Sequence, residues 1–392
     1  MTTFQFSELE QGRKKHNALK WNMDCQKNPL HEGHIPMWIA DCDFPCDPNV
    51  LEKVRERLQH PTFGYTYAPK TLFTSFVSWA SRRYVGGDLV DPDLCTVCPS
   101  IVTALAHCIR AFSTGSVLIN TPIYPPFSAL PTAQKQKLLT STLVRDTDNV
   151  YRLDMEDLEA KLKEASVYLL CHPQNPGGCE FPSSDLDKVA ELAAKYNVFV
   201  VSDEIHGDLS LTEDKHHTFL SFAQKHGTRT ASCFSPSKSF NLAGFVTSII
   251  AFSNPDDQGL FNNALQESGI HGVNCLGPVA CQAAYDHGHD YLEGVIQKLN
   301  DNIDLLVSGL ADYTHFIIPI RPKFGFLIWC DCSGISSDPK VINDFFNNCG
   351  IAVCNSTMFG PGSEIFVRLN IGCRKELVVE AIARITGALK KL

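Results

Sequence analysis

The chain has 392 residues, is 44% hydrophobic and 20% charged, and carries a formal net charge of −9. This length supports a large core and more than one lobe, and the composition excludes a disordered or fibrous protein. The negative balance gives no general attraction to nucleic acid or to an anionic membrane, so an anionic ligand requires a local site.

The opening MTTFQFSELEQGRKK has no apolar core followed by a cleavage signal. No uninterrupted apolar stretch approaches the roughly 20 residues that span a bilayer, so a cytoplasmic protein is expected. Sixteen cysteines are scattered along the chain, often in apolar runs such as ALAHCIRAF (Cys108) and VACQAAY (Cys281), where a thiol acts as a small hydrophobe. Cys95 and Cys98 form a lone CxxC without the second ligand pair that zinc requires, and Cys330 and Cys332 alternate on a predicted strand. Reduced structural thiols and no metal are expected.

From about Asp93 to Ser253 short apolar runs alternate with helical patterns. The runs Ser116–Asn120, Val167–Cys171, Val198–Ser202, Ala231–Ser235 and Val246–Phe252 lack polar alternation, which predicts strands covered on both faces. Between two of them, SSDLDKVAELAAKY places Leu186, Val189, Ala190, Ala193 and Ala194 on one helical face, with Ser183 or Ser184 as the expected cap. The fold class is therefore α/β, a mainly parallel sheet wound with helices. After about Asp286 a long helical stretch leads to two strand-like pieces, FGFLIWCDC and FVRLNIGC, and an amphipathic segment, KELVVEAIARITGALKKL. The expected division is a large domain over 51–288 and a smaller α+β domain over 289–392, joined by residues 1–50.

In open α/β sheets ligands bind beyond the carboxyl ends of strands. Three such loops carry chemistry: CHPQNPGG with Asn175, SDEIHGD with Asp203, and SPSKSFNLAGF with Lys238. Alone, each is a turn, a helix cap or a surface charge; together, in this order, they fit pyridoxal 5′-phosphate (PLP). Its aldehyde needs an amine, Lys238, which is also the catalytic base. Its pyridine nitrogen needs a carboxylate, Asp203, and its ring oxygen a donor, Asn175. Its phosphate needs amides and hydroxyls at a helix start, supplied by Ser100, Ile101 and Val102, with Ser235 adding another donor. Tyr124, in TPIYPPF, is placed to stack on the ring. An amino-acid substrate also needs its carboxylate held, and Arg368 within the apolar strand FVRLNIG suits that task.

These residues resemble the aspartate-aminotransferase superfamily of PLP enzymes, fold type I, along nearly the whole chain. PMWIADCDF, FGYTYAP, TPIYPPF, NPGG, SDEIHGDL, SPSKSFNLAGF and FVRLNIGC are similar to its cystathionine β-lyase and cystalysin-like branch of carbon–sulfur lyases. The resemblance implies a seven-stranded large domain, a small domain built from both termini, and a homodimer in which Tyr65 reaches the partner subunit's cofactor phosphate. It implies that His206, where many aminotransferases carry tyrosine, belongs to the cofactor site, and that Trp38 and Ala40 line the substrate entrance. The chain departs from the branch's usual pattern at Gln174, Cys179, Ser100 and Cys42.

The implied reaction is α,β-elimination of cystathionine or related cysteine substrates to pyruvate, ammonia and a thiol. The rivals are a class I/II aminotransferase, which shares the early steps, and a regulatory PLP-binding module with weak catalysis.

Overall fold

The computed structural model describes residues 12–392. Residues 1–11, and with them most of the opening segment considered above for a secretory signal, lie outside the described residues. The central sheet is formed by β1 (Cys95–Cys98), β2 (Ser116–Thr121), β3 (Lys137–Thr142), β4 (Val167–Cys171), β5 (Phe199–Asp203), β6 (Thr230–Phe234) and β7 (Ser248–Phe252). Their lateral order is β1-β7-β6-β5-β4-β2-β3, and only β7 runs against the others.

Strand periodicity explains why the central runs are apolar throughout. Leu118, Tyr168, Leu170 and Val200 point to one face and pack with Leu186 and Val189 of the helix Ser183–Lys195. Val117, Ile119, Val167, Leu169 and Val201 point to the other, against Ile101 and Leu105 of the helix Ile101–Phe112. Each such side chain, fully buried, contributes about 1.5–3 kcal/mol. With apolar layers on both sides, the sheet has no wet face that would call for alternation.

Three expectations need correction. The run from Val198 begins as a strand at Phe199 and keeps Asp203 as its last residue. The run from Val246 begins at Ser248, because Val246 sits in the left-handed region at φ 50° and turns the chain. Neither Ser183 nor Ser184 caps the following helix. Pro182 (φ −55°, ψ 143°) occupies the extended position before it, so Ser183 is already helical and Ser184 Oγ donates to Asp185 instead.

A second, antiparallel sheet is formed by β8 (Ile318–Ile320), β9 (Leu327–Asp331) and β10 (Phe366–Asn370). The helices His289–Gly309 and Lys375–Leu389 pack against each other beside it. The early segment Ile35–Pro36 pairs in parallel with Ile351–Ala352, tying the first part of the chain to the last. All sixteen cysteines are free thiols, and Cys95 and Cys98 are buried at the two ends of β1. Among the described residues no helix is long and apolar enough to cross a membrane.

Candidate active site

The register of the sheet sets the site. Cys171, Asp203 and Cys233 are lateral partners, so the loops leaving β4, β5 and β6 emerge side by side. Because β7 is antiparallel, its start lies at the same end, and Ser235 Oγ donates to Thr247 O at 2.8 Å. The loops with Asn175, Asp203 and Lys238 are thus brought together by strand pairing.

Asp203 is buried, and its Oδ1 accepts one hydrogen bond, from Ile205 N at 3.1 Å. Burial pushes its carboxyl up to about 7, against the opposing pull of that bond and of the Lys238 charge. Lys238 donates from Nζ to Ala40 O at 2.6 Å. Loss of water lowers the pKa of its amine, which favours the nucleophilic neutral form, while Asp41 and Cys42 oppose the shift.

Arg368, in the middle of β10, is buried. Nη1 donates to Asn175 Oδ1 at 2.9 Å and Nη2 to Trp38 O at 3.1 Å, while Nε has no partner. The Phe359 ring lies 4.8 Å from the guanidinium carbon. Among the described residues no carboxylate pairs with Arg368, and burial lowers its pKa. An uncompensated buried guanidinium is costly unless an anion joins it.

His206 is buried and its Nδ1 also has no partner. Burial, with the positive charges of Lys238 and Arg368, pushes it down to about 3, so the ring is neutral. Gly325 faces it at φ +82°; a Cβ there would stand 3.2 Å from Nδ1 and would be strained on that backbone. Tyr124 is half-buried and its hydroxyl is pushed up by burial; it feels the charges of Arg368 and Asp203, which places it in the same pocket.

Ser100 caps the helix Ile101–Phe112, accepting from Thr103 N at 3.1 Å, and the amides of Ile101 and Val102 belong to its open first turn. The Ser235 hydroxyl hydrogen is engaged by Thr247, and its oxygen accepts from Ser237 N at 3.2 Å, so this residue shapes the turn before Lys238. Trp38 and Ala40 reach the site through their carbonyls. Tyr65 does not reach it within this chain: it is 111% exposed, in a run with Phe63 and Tyr67 that stands off the surface.

The departures from the family pattern are accommodated. Gln174 spans its loop, donating to Pro122 O at 2.7 Å and accepting from Gly177 N at 2.6 Å, and Cys179 O closes the turn by accepting from Gln174 N at 2.8 Å. Cys42 packs against the bare backbone of Gly372, where a Cβ would stand 2.6 Å from its sulfur.

Two supporting networks escaped sequence reasoning. Asp208 accepts from Trp79 Nε1 at 2.7 Å, Ser239 Oγ at 2.9 Å and the Tyr84 hydroxyl, anchoring the turn that carries Lys238. Asp43 accepts from Lys20 Nζ, Trp21 Nε1 and Arg13 Nη1 at 2.7, 2.8 and 2.7 Å, fixing the segment that offers Ala40 O. The only sequence signal for the latter was two acids within the otherwise apolar WIADCDF.

Residues 47–385 match the family of class I and II aminotransferases. The chain is 34% identical over 360 residues to the cystathionine β-lyase PatB of Bacillus subtilis, covering 91% of this chain and 92% of that protein. Among solved structures, cystalysin from Treponema denticola, which contains a pyridoxal 5′-phosphate cofactor, superposes with a TM-score of 0.91 at 26% identity over all of both chains. The PLP-bound carbon–sulfur lyase of Staphylococcus hominis gives 0.89 at 27% identity, covering 99% of this chain and 98% of its own.

Proposed function

The chain belongs to the class I and II aminotransferase family and has its type I fold, and from that premise we propose that it is a PLP-dependent carbon–sulfur β-lyase acting on a cysteine-type amino acid such as L-cystathionine. One observation carries the substrate half of this reading: Arg368 is a buried guanidinium that has no carboxylate partner among the described residues, its Nε unpartnered and its Nη1 on Asn175. The α-carboxylate of an amino acid is the anion that fork is built to receive.

The residues also fit the cofactor. Asp203 has one hydrogen-bond donor and a carboxyl pushed up to about 7, so it lacks the cationic N–H partner that a pyridinium supplies. Lys238 would hold the cofactor through its amine, Asn175 and His206 would face its ring oxygen, Tyr124 its ring, and Ser100, Ile101 and Val102 its phosphate, which Ser235 would reach only by releasing Thr247 O. When bound, PLP supplies an electron sink for the carbon from which a proton is withdrawn. Lys238 Nζ takes that proton from Cα and passes one to the departing sulfur. Arg368 fixes the carboxylate so that the Cα–H bond faces the amine, and Trp38 and Ala40 shape the entrance. In sum, cystathionine and water give pyruvate, ammonia and homocysteine.

Three further elements belong to this proposal: a cytoplasmic location, domain boundaries near 50 and 288, and a homodimer. The exposed Phe63, Tyr65 and Tyr67 support the last, since large aromatic side chains standing off a surface call for a partner; Tyr65 then reaches the partner subunit's phosphate. The deciding experiment incubates the purified protein with L-cystathionine, with and without a 2-oxo acid. Pyruvate and thiol formed without the acid, by protein showing visible absorption of bound PLP near about 420 nm, is the expected result. Turnover only when the acid is present would make it an aminotransferase, and bound PLP with no turnover a binding module.

A further inference from the structure

Outside the pocket, on the loops that follow β4 and β5, we propose that His172, Glu180 and His216 bind one divalent transition-metal ion, with zinc the best chemical match. The ligand atoms of these three residues all lie within 4.8 Å of one another. His172 Nε2 is 3.5 Å from Glu180 Oε1, and His216 Nδ1 meets the same oxygen directly. Tetrahedral zinc with bonds of about 2.0–2.1 Å sets its ligand atoms about 3.3–3.5 Å apart. The His172 pair already has that spacing; the His216 pair opens as the ion replaces the proton held between the two atoms, and that proton leaves to solvent.

Two observations point to an ion. The first is charge: among the described residues the ionic partners of Glu180 and Glu204 are histidines alone, with no lysine or arginine. The side chains of His172, His216 and Glu204 are fully buried and that of Glu180 is 14% exposed, and the single imidazolium that His216 can supply between the two carboxylates offsets only one of them. A divalent cation balances both. The second is orientation: His216 Nε2 meets Glu204 Oε2 at 2.7 Å, and Phe219 N donates to the other Glu204 oxygen at 3.2 Å. A carboxylate fixing the far nitrogen of a metal-bound histidine is the usual outer arrangement of a zinc site. His172 is wholly buried, and the nitrogen that faces Glu180, Nε2, lies 3.2 Å from His217 O, a contact the ion would displace.

His217 gives access. Its Nδ1 is 3.3 Å from the second Glu180 oxygen and its side chain is 34% exposed, so it stands between the cluster and solvent, on the side from which water would complete the ion's shell. The ion would tie His172, which directly follows β4, to Glu204, which directly follows β5, from behind the loops bearing Asn175 and Asp203. This site is independent of the lyase reading and brings no group to the reacting atoms.

The test uses the PLP-loaded protein, dialysed against a chelator, then equilibrated with Zn²⁺ and gel-filtered. The expected result is about one retained equivalent, a Zn²⁺-dependent rise in Tm, and loss of both in Glu180→Gln and in His172→Gln, each of which preserves side-chain polarity. Co²⁺ in place of Zn²⁺ should give tetrahedral visible bands without a thiolate charge-transfer band, separating this site from the sixteen cysteines. Wild-type protein that retains no Zn²⁺ overturns the proposal without recourse to variants. Retention unchanged in both variants, or a thiolate band with Co²⁺, overturns it equally.

Discussion

Asp203 and Asp208 lie in the same loop region, both buried, and are used in opposite ways. Asp208 is saturated, with the indole of Trp79 and the hydroxyls of Tyr84 and Ser239 all donating to its side chain. Asp203 receives one backbone amide, and its carboxyl is pushed up to about 7 by burial. A saturated buried carboxylate holds a fold together; an undersupplied one costs stability until a ligand completes it. The same contrast separates Arg368, with its unpartnered Nε, from Arg229, paired with Asp257 at the outer end of the sheet. In both pairs the member with unmet hydrogen-bonding capacity is the one in the working pocket, although buried unpartnered atoms such as Ser141 Oγ and Ser202 Oγ also occur outside it.

The largest effect that would sharpen this contrast is expected at Lys238. Lys238→Ala should lower kcat by at least about 10³-fold and abolish the visible absorption of bound PLP, with little change in Tm of the PLP-free protein. Asp208→Ala should do the reverse. It leaves three buried donors without an acceptor, so unfolding free energy should fall by about 3–5 kcal/mol in urea titrations. If Asp208→Ala lost activity without losing stability, the division of labour would be wrong.

Next in size is the pH dependence. The folded-state pKa of Asp203 lies above its ordinary 3.8, so the folded chain binds that proton more tightly than the unfolded chain. The contribution of Asp203 to the stability of PLP-stripped protein should therefore be fully present below pH about 4, decline as pH rises to about 7 and then level off, by about 4 kcal/mol at most. Urea midpoints of stripped Asp203→Asn should lack this slope. Equal slopes in the two proteins would show that Asp203 already has its counter-charge.

Much of this was legible in the sequence because it is local. Uniform apolar runs gave the strands and their two-sided cover, and the residues just past three of them supplied Asn175, Asp203 and Lys238. Arg368 was legible as a charge inside an apolar strand. What escaped notice depends on distant pairing: nothing near Asp208 announces Trp79, which is 129 residues away. The Glu180 and His216 pairing is likewise built from separate loops 36 residues apart. The cap position failed for a local reason, since Pro182 took the place that serine preference favoured. Tyr65 is a different case, since its role is assigned by resemblance to a second subunit and a single chain leaves it in solvent.

Arg368→Ala should weaken capture more than chemistry, raising KM for L-cystathionine about 30–100-fold, or about 2–3 kcal/mol, with a smaller fall in kcat. Arg368→Lys should recover only part of this loss, because an ammonium cannot present the fork to a carboxylate. A KM unchanged by either variant would remove Arg368 from substrate binding and make its bond to Asn175 purely structural.

The smallest effect tests the border between the two roles. Ser239 directly follows Lys238 in the chain, yet its hydroxyl points to Asp208 Oδ2. Ser239→Ala removes one of the side-chain donors to Asp208 while Trp79 and Tyr84 still serve Oδ1. The expected cost is about 1–2 kcal/mol in unfolding free energy. Because Lys238 is held separately by Ala40 O, its amine should keep its position, and kcat should fall less than stability would suggest. A kcat loss comparable to that of Lys238→Ala would mean that Asp208 positions the amine through Ser239. The saturated carboxylate would then be part of the working pocket after all, and the contrast between the two aspartates would dissolve.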